Sequence, residues 1–326
     1  MIRLGVIGTN WITDRFIAAA LSTGKYQLTA VYSRQLDTAE RFAAKYQVRH
    51  CYDSLEEMAR ADELDAIYIA SPNSLHASQA KLFMLQGKHV IGEKPLASNY
   101  TEVEELIELA QQKQLILFEA MKTVYTPNFA IVKRALDKLG RLRKVHFTYC
   151  QYSSRYQKYL DGDNPNTFNP EFSNGSLMDI GIYPLSCAIS LFGEPNSMTA
   201  QGVLLDSGVD AHGTLVLHYR DFDVTISHSK VSDGVIPSEI QGEQGTLLID
   251  FISECRGVRL YRRDEPVVDL TVDQDENTMR YEADMFADLI ITSNTAYGGL
   301  HRTRVVSAII TQAREIIGVR YPADQH

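Results

Sequence analysis

Lys94 and Tyr183 are the side chains of this sequence best suited to moving a proton. Lys94 stands in Glu93-Lys94-Pro95, directly after the apolar run His89–Gly92, and Tyr183 closes Asp179-Ile180-Gly181-Ile182-Tyr183. A free tyrosine, with a pKa of ~10, is a poor base at neutral pH. A neighbouring ammonium stabilises the phenolate and lowers that value. The pair can therefore take a hydroxyl proton while hydride leaves the carbinol carbon, and the lysine can also hydrogen-bond the substrate hydroxyl directly. Asp179, four residues before Tyr183, shares its face if the segment is helical and would orient the phenol or hold substrate. Proline is comfortable only in the first turn of a helix, so Pro184 makes 179–183 a turn entering one.

Such chemistry needs a hydride acceptor, and the N-terminus offers a place for one. Ile2–Ile7 reads as a strand, Gly8 opens a turn and a helix follows, so Gly8, Thr9, Asn10, Trp11 and Ile12 would line a dinucleotide pyrophosphate. The G-x-G-x-x-G/A fingerprint keeps only its first glycine, with Asn10 and Thr13 at the other two positions. Asparagine is the non-glycine residue best able to take a positive φ, so Asn10 is expected to keep the turn and crowd the pyrophosphate. An ordinary strand–helix turn without ligand is the alternative. After the second strand, where NAD sites place an acid on the ribose hydroxyls, the chain has Ser33-Arg34-Gln35. A hydroxyl and a guanidinium suit a 2′-phosphate, so NADP is expected rather than NAD. Asp37, the nearest acid, is read as a helix cap.

The elements that position these residues follow from periodicity. Up to about residue 120, apolar runs (Ile2–Ile7, Gln27–Tyr32, Val48–Cys51, Ala66–Ala70, His89–Gly92, Leu115–Glu119) alternate with helical patterns, including one from Asp37 and one from Ser54 with capping-box spacing. After Pro127 come a helix to about Leu139, a strand over Lys144–Tyr149, a loop over Asp161–Asn174 and the apolar segment Leu177–Phe192. From 197 to 272 the period is two, and helices over Met279–Ile291 and Arg302–Ile317 close the chain. The fold class is α/β: an N-terminal Rossmann doubly wound parallel sheet, residues 1–122, and a C-terminal α+β domain with a large open, mostly antiparallel sheet, residues 123–326. The helix at about 302–317 is a candidate to pack back on the first domain. An open sheet must cover its free face, and a homodimer or higher homo-oligomer does so.

A net charge of −9 without a basic block excludes nucleic acid and anionic membrane as principal partners. Cys51, Cys150, Cys187 and Cys255 form no CxxC or Cys/His cluster and read as free thiols of a reducing cytosol, with no metal site. A strand from residue 2 leaves no room for a signal peptide, and no apolar run approaches the ~20 residues of a membrane span, so a soluble cytoplasmic protein is expected.

Combined, these motifs resemble the Gfo/Idh/MocA oxidoreductases, named for glucose–fructose oxidoreductase and inositol dehydrogenase. The matches are Gly5-Val6-Ile7-Gly8, Ala70-Ser71-Pro72-Asn73 with His76, Glu93-Lys94-Pro95, Phe118-Glu119-Ala120-Met121 and the stretch from Gly175 to Tyr183, in the family's order. The departures are Asn10 and Thr13, and Lys122 where relatives often carry tryptophan. Tyrosine at 183 resembles the branch of dimeric dihydrodiol dehydrogenases, NADP-dependent xylose dehydrogenases and glucose–fructose oxidoreductase. The resemblance implies that Ser71, Asn73, His76 and Glu93 lie about the nicotinamide ribose, with Lys94 and Tyr183 bracketing the reacting carbon across an interdomain cleft. The resulting expectation is an NADP-dependent dehydrogenase or reductase of a small polyhydroxylated compound, an aldose or a vicinal cyclic diol. Its rivals are an NAD-dependent sugar or inositol dehydrogenase and a catalytically silent nucleotide-binding sensor. Tyr152, Tyr156 and Tyr159 either stack on a sugar ring or pack a surface.

Overall fold

The computed structural model describes residues 1–325 and divides into two compact units. One comprises Met1–Ala120 with Asp275–Arg304; the other comprises Met121–Gln274 and the chain from Val305 onward.

The first unit is built on six parallel strands: Ile2–Ile7 (β1), Tyr26–Tyr32 (β2), His50–Tyr52 (β3), Ala66–Ile69 (β4), His89–Glu93 (β5) and Leu117–Ala120 (β6). Their order is β3-β2-β1-β4-β5-β6. Helices Trp11–Ser22 (α1), Leu36–Ala44 (α2), Leu55–Arg60 (α3), His76–Leu85 (α4) and Tyr100–Lys113 (α5) connect them. Strands covered on both faces need unbroken apolar runs, and every residue of β4 and β6 is buried. Helix starts are written in the sequence. Ser54 accepts the Glu57 N–H at 3.2 Å and Asn99 accepts that of Glu102 at 3.0 Å. One cap differs from expectation: α2 begins at Leu36 with Gln35 at the cap, and Asp37 lies inside the first turn.

The second unit carries eight strands: Leu142–Cys150 (β7), Ser197–Leu204 (β8), Asp210–His218 (β9), Asp223–Ser229 (β10), Ser238–Gly242 (β11), Thr246–Asp250 (β12), Gly257–Tyr261 (β13) and Val268–Asp269 (β14). The order is β14-β13-β12-β11-β7-β10-β9-β8, antiparallel except for the β7–β10 pair. Burial alternates as period two requires: Val224 and Ile226 are buried while Thr225 and Ser227 are half-buried. Pro127–Ala135 (α6), the short Tyr156–Leu160 (α7) and Ile182–Phe192 (α8) are among its helices, and Phe129, Val132, Leu185 and Ala188 join the sheet's apolar face in one core.

The stretch Pro170–Phe192 has the length and hydropathy to cross a bilayer, which the sequence reading did not anticipate, yet 72% of its apolar window is buried inside the fold. It is placed as a core helix. Met279–Ile291 (α9) returns to the first unit, where Tyr26 donates to the Ala283 carbonyl at 2.5 Å. Gly299–Ile317 (α10) gives its first residues to that unit and the rest to the second.

Candidate functional site

Strand order reverses between β1 and β4, and open α/β sheets bind ligands at that point, beyond the carboxyl ends of the strands. Gly8 leaves β1 at φ +105°, and a Cβ there would sit 2.9 Å from the Ala70 carbonyl oxygen, so only glycine fits. Asn10 corrects an expectation. Its φ is −100°, extended rather than positive, and its side-chain oxygen accepts from the N–H groups of Ile12 and Thr13 at 2.9 and 3.2 Å. Its amide donates to Ala70 at 3.3 Å. The side chain is thus folded back as the cap of α1. The N–H groups of Thr9, Asn10 and Trp11 meet no acceptor among the described residues, at the positive end of α1. That set of donors beside a bare glycine suits a pyrophosphate.

Arg34 follows β2, exposed and in no ion pair among the described residues, next to half-buried Ser33. The stretch that leaves β2, Ser33-Arg34-Gln35, itself carries no acid, and a guanidinium beside a hydroxyl can hold a phosphate.

At the end of β5 the chain turns through Glu93, Lys94 and Pro95, with Glu93 and Lys94 half-buried and the Lys94–Pro95 peptide cis. Three buried groups fix this turn. Tyr68 donates to Glu93 at 2.6 Å. Glu119 accepts the Leu96 N–H at 3.2 Å and the Thr303 hydroxyl at 2.8 Å. His76 lies with Nδ1 2.9 Å from the Pro95 carbonyl and Nε2 2.8 Å from that of Ser71. Burial lowers the His76 pKa, against the pull of the two carbonyls. The imidazole therefore clips the Ser71-Pro72-Asn73 segment to the lysine turn. Ser71 also donates its hydroxyl to Gln79 at 2.7 Å, and Asn73 opens a short 3₁₀ turn to Leu75.

In the second unit, each polar or glycine position from 175 to 183 has a structural partner. Gly175 has φ +145°, and its missing side chain leaves room for the Asp210 carboxylate. Asp210 accepts the Leu177 N–H at 2.7 Å, and Ser176 lies 2.9 Å from His228 Nδ1. Leu177–Gly181 forms one wide π turn that runs into α8, so Pro184 falls in the first turn of α8, as the sequence requires. Such wide turns recur at functional sites. Asp179 is paired with the ammonium of Lys230, a residue the sequence reading passed over. Tyr183 is half-buried and meets the Tyr149 ring edge-on at 5.7 Å. Lys122 pairs with Glu254 at 3.3 Å, both largely buried.

Tyr156, Tyr159 and Phe168 pack on one another at 5.5–6.1 Å, and Ser207 donates its N–H to the Tyr159 hydroxyl at 3.2 Å. Among the described residues no three His, Cys, Asp or Glu side chains gather as metal ligands, and none of the four cysteines is joined in a disulfide.

A parallel sheet of order 3-2-1-4-5-6 with a glycine turn at its reversal defines a dinucleotide-binding type of α/β architecture, here joined in sequence to a mixed α+β unit. The model of the oxidoreductase family with NAD-binding Rossmann fold matches residues 2–121, and that of the GFO/IDH/MocA C-terminal domain matches residues 129–248. The chain belongs to the GFO/IDH/MocA oxidoreductase family. It is 56% identical over 324 residues, 99% of both chains, to the uncharacterized oxidoreductase YgjR of Escherichia coli K12. It is 46% identical over 327 residues, all of both chains, to the NADP(+) scyllo-inositol 2-dehydrogenase IolU of Bacillus subtilis 168. In fold it is similar to KijD10, a 3-ketoreductase of Actinomadura kijaniata solved with NADP and TDP-benzene, at TM-score 0.86 and 22% identity over 98% of both chains.

Proposed function

We propose that this protein transfers hydride between NADP(H) and a carbinol carbon of a small polyhydroxylated ring, a sugar, inositol or vicinal cyclic diol. The observation carrying the cofactor assignment is the β2 exit, where the strand is followed by the Ser33 hydroxyl and by the exposed Arg34 guanidinium, which is in no ion pair among the described residues. The likeness to an NADP(+) scyllo-inositol dehydrogenase over the full length supports both cofactor and substrate class.

When bound, the nicotinamide supplies the hydride acceptor. Gly8 to Ile12 hold the pyrophosphate, Ser33 and Arg34 the 2′-phosphate, and Ser71, Asn73 and Glu93 the nicotinamide ribose, with His76 fixing that segment. The Tyr183 phenolate takes the proton of the reacting hydroxyl as the adjacent C–H leaves with its electron pair, so C–O becomes C=O. Lys94 stabilises the phenolate and hydrogen-bonds the reacting oxygen, and Asp179 accepts from a neighbouring hydroxyl. A homodimer through the second unit's sheet, on the face of Thr214, Val216, Thr225 and Ser227, completes the reading; sedimentation as a monomer at micromolar concentration contradicts that part.

The test is paired. NADPH and NADH are titrated against quenching of Trp11, the single tryptophan, which is 67% exposed at the start of α1. NADP+ is then offered with inositols, aldoses and cyclic diols. Preference for NADPH by about tenfold, with turnover of at least one polyol, is expected. Preference for NADH, or no turnover, contradicts it.

A further inference from the structure

A lysine at the core face of a sheet is out of place unless something holds its charge. Val224, Ile226 and His228 alternate on the buried face of β10, and Lys230 continues that phase one step beyond the strand. Only 5% of Lys230 is exposed. Its backbone is fixed on both sides: its N–H donates to the Ala211 carbonyl at 3.0 Å, and its own carbonyl accepts the Ser153 N–H at 2.8 Å. The ammonium reaches the Asp179 carboxylate and lies 5.8 Å from the centre of the Phe168 ring. Asp179, by contrast, keeps 32% of its side chain exposed.

The asymmetry is informative. A buried ammonium is costly without a counter-charge, so the pair holds Asp179 ionised and in one rotamer, one turn before Tyr183. An ionised carboxylate only accepts hydrogen bonds, so what it can recognise in a ligand is a donor, such as a hydroxyl. We infer that Lys230 is a positioning residue for polyol recognition. Acting through Asp179, it selects substrates carrying a second hydroxyl beside the reacting one and disfavours simple alcohols. The inference rests on the proposed function and deepens it: the substrate class becomes the vicinal diol.

The experiment compares wild type, Lys230→Met, Lys230→Arg, Asp179→Asn and the double variant Asp179→Asn/Lys230→Met. Turnover of scyllo-inositol and other polyols with NADP+ is measured, together with NADPH binding by Trp11 quenching. Lys230→Met is expected to raise KM for polyol by about tenfold or more, the loss of one charge-assisted contact, with kcat less affected and NADPH affinity within about twofold. Lys230→Arg keeps the charge and restores KM to within a few-fold. The double variant is no worse than Asp179→Asn, because both changes remove one interaction.

Unchanged KM in Lys230→Met, or strict additivity in the double variant, overturns the inference alone. Should Lys230→Met fail to fold, Lys230→Arg decides: a KM as poor as that of Asp179→Asn in a folded protein overturns it equally. Wild type inert toward every polyol overturns the proposed function and takes this inference with it.

Discussion

Asp210 and Gly175 are fitted to each other: the carboxylate fills the space that any side chain at position 175 would need, while its second oxygen holds the Leu177 N–H at 2.7 Å. The start of the segment carrying Asp179 and Tyr183 is thereby tied to β9. Gly175→Ala would meet both the carboxylate and an unfavourable φ of +145°. A loss of about 2 kcal/mol or more is expected, read as a fall in Tm of about 4 °C or more. An unchanged Tm would mean that the two residues are not mutually constrained.

Burial also makes Asp210 and His228 opposite contributors to pH dependence. Burial raises the Asp210 pKa from the ordinary 3.8 to about 6, partly opposed by the Leu177 N–H, Arg314 and Lys230. A raised acid pKa gives stability that is complete below about 3.8 and lost as pH rises through about 6. The shift corresponds to about 3 kcal/mol. Asp210→Asn cannot ionise, so its Tm relative to wild type should climb between pH 4 and pH 7 and then level off. A difference in Tm that is flat across that window contradicts the assignment. Burial lowers the His228 pKa from 6.5 to about 3, so its contribution is present above pH 6.5 and lost as pH falls. The acid limb of wild-type stability should shrink in His228→Asn.

Tyr183→Phe keeps the ring against Tyr149 and removes only the hydroxyl. Turnover should fall about 100-fold or more while NADPH binding is retained. Turnover within a few-fold of wild type would exclude Tyr183 as the acid/base.

Arg34→Ala should weaken NADPH binding by about tenfold or more and leave NADH binding within about twofold, because only the 2′-phosphate is lost as a partner. Equal effects on the two nucleotides would mean that Arg34 does not read the phosphate.

Much of the first unit was legible because its signals are local. The β1–Gly8–α1 turn depends on residues within a few positions of one another, and so does the Ser54 cap. Asn10 was legible in place but not in conformation. A positive φ was one way to use it, but accepting two first-turn N–H groups lets its backbone stay extended. The Glu93-Lys94-Pro95 turn was visible, while the groups that fix it were not. Glu119 and His76 come from 24 and 19 residues away from Pro95, and only the parallel register of β4, β5 and β6 brings them together. The parallel β7–β10 pair was missed for a similar reason, since nothing in either strand names its partner. Lys230 did leave a signal. It stands in phase with Val224, Ile226 and His228, and a charge on the core phase of a strand should prompt a search for its counter-ion.

Hydride transfer itself is the claim on which the rest depends, and deuterium follows it directly. An inositol deuterated at its ring carbons is incubated with the protein and NADP+, and the NADPH and ketone formed are analysed by mass spectrometry. The account predicts one deuterium in the nicotinamide ring for each ketone produced, and almost none with Tyr183→Phe. Tight NADPH binding without deuterium transfer from any polyol would contradict it, leaving a nucleotide-binding protein that does not catalyse the reaction.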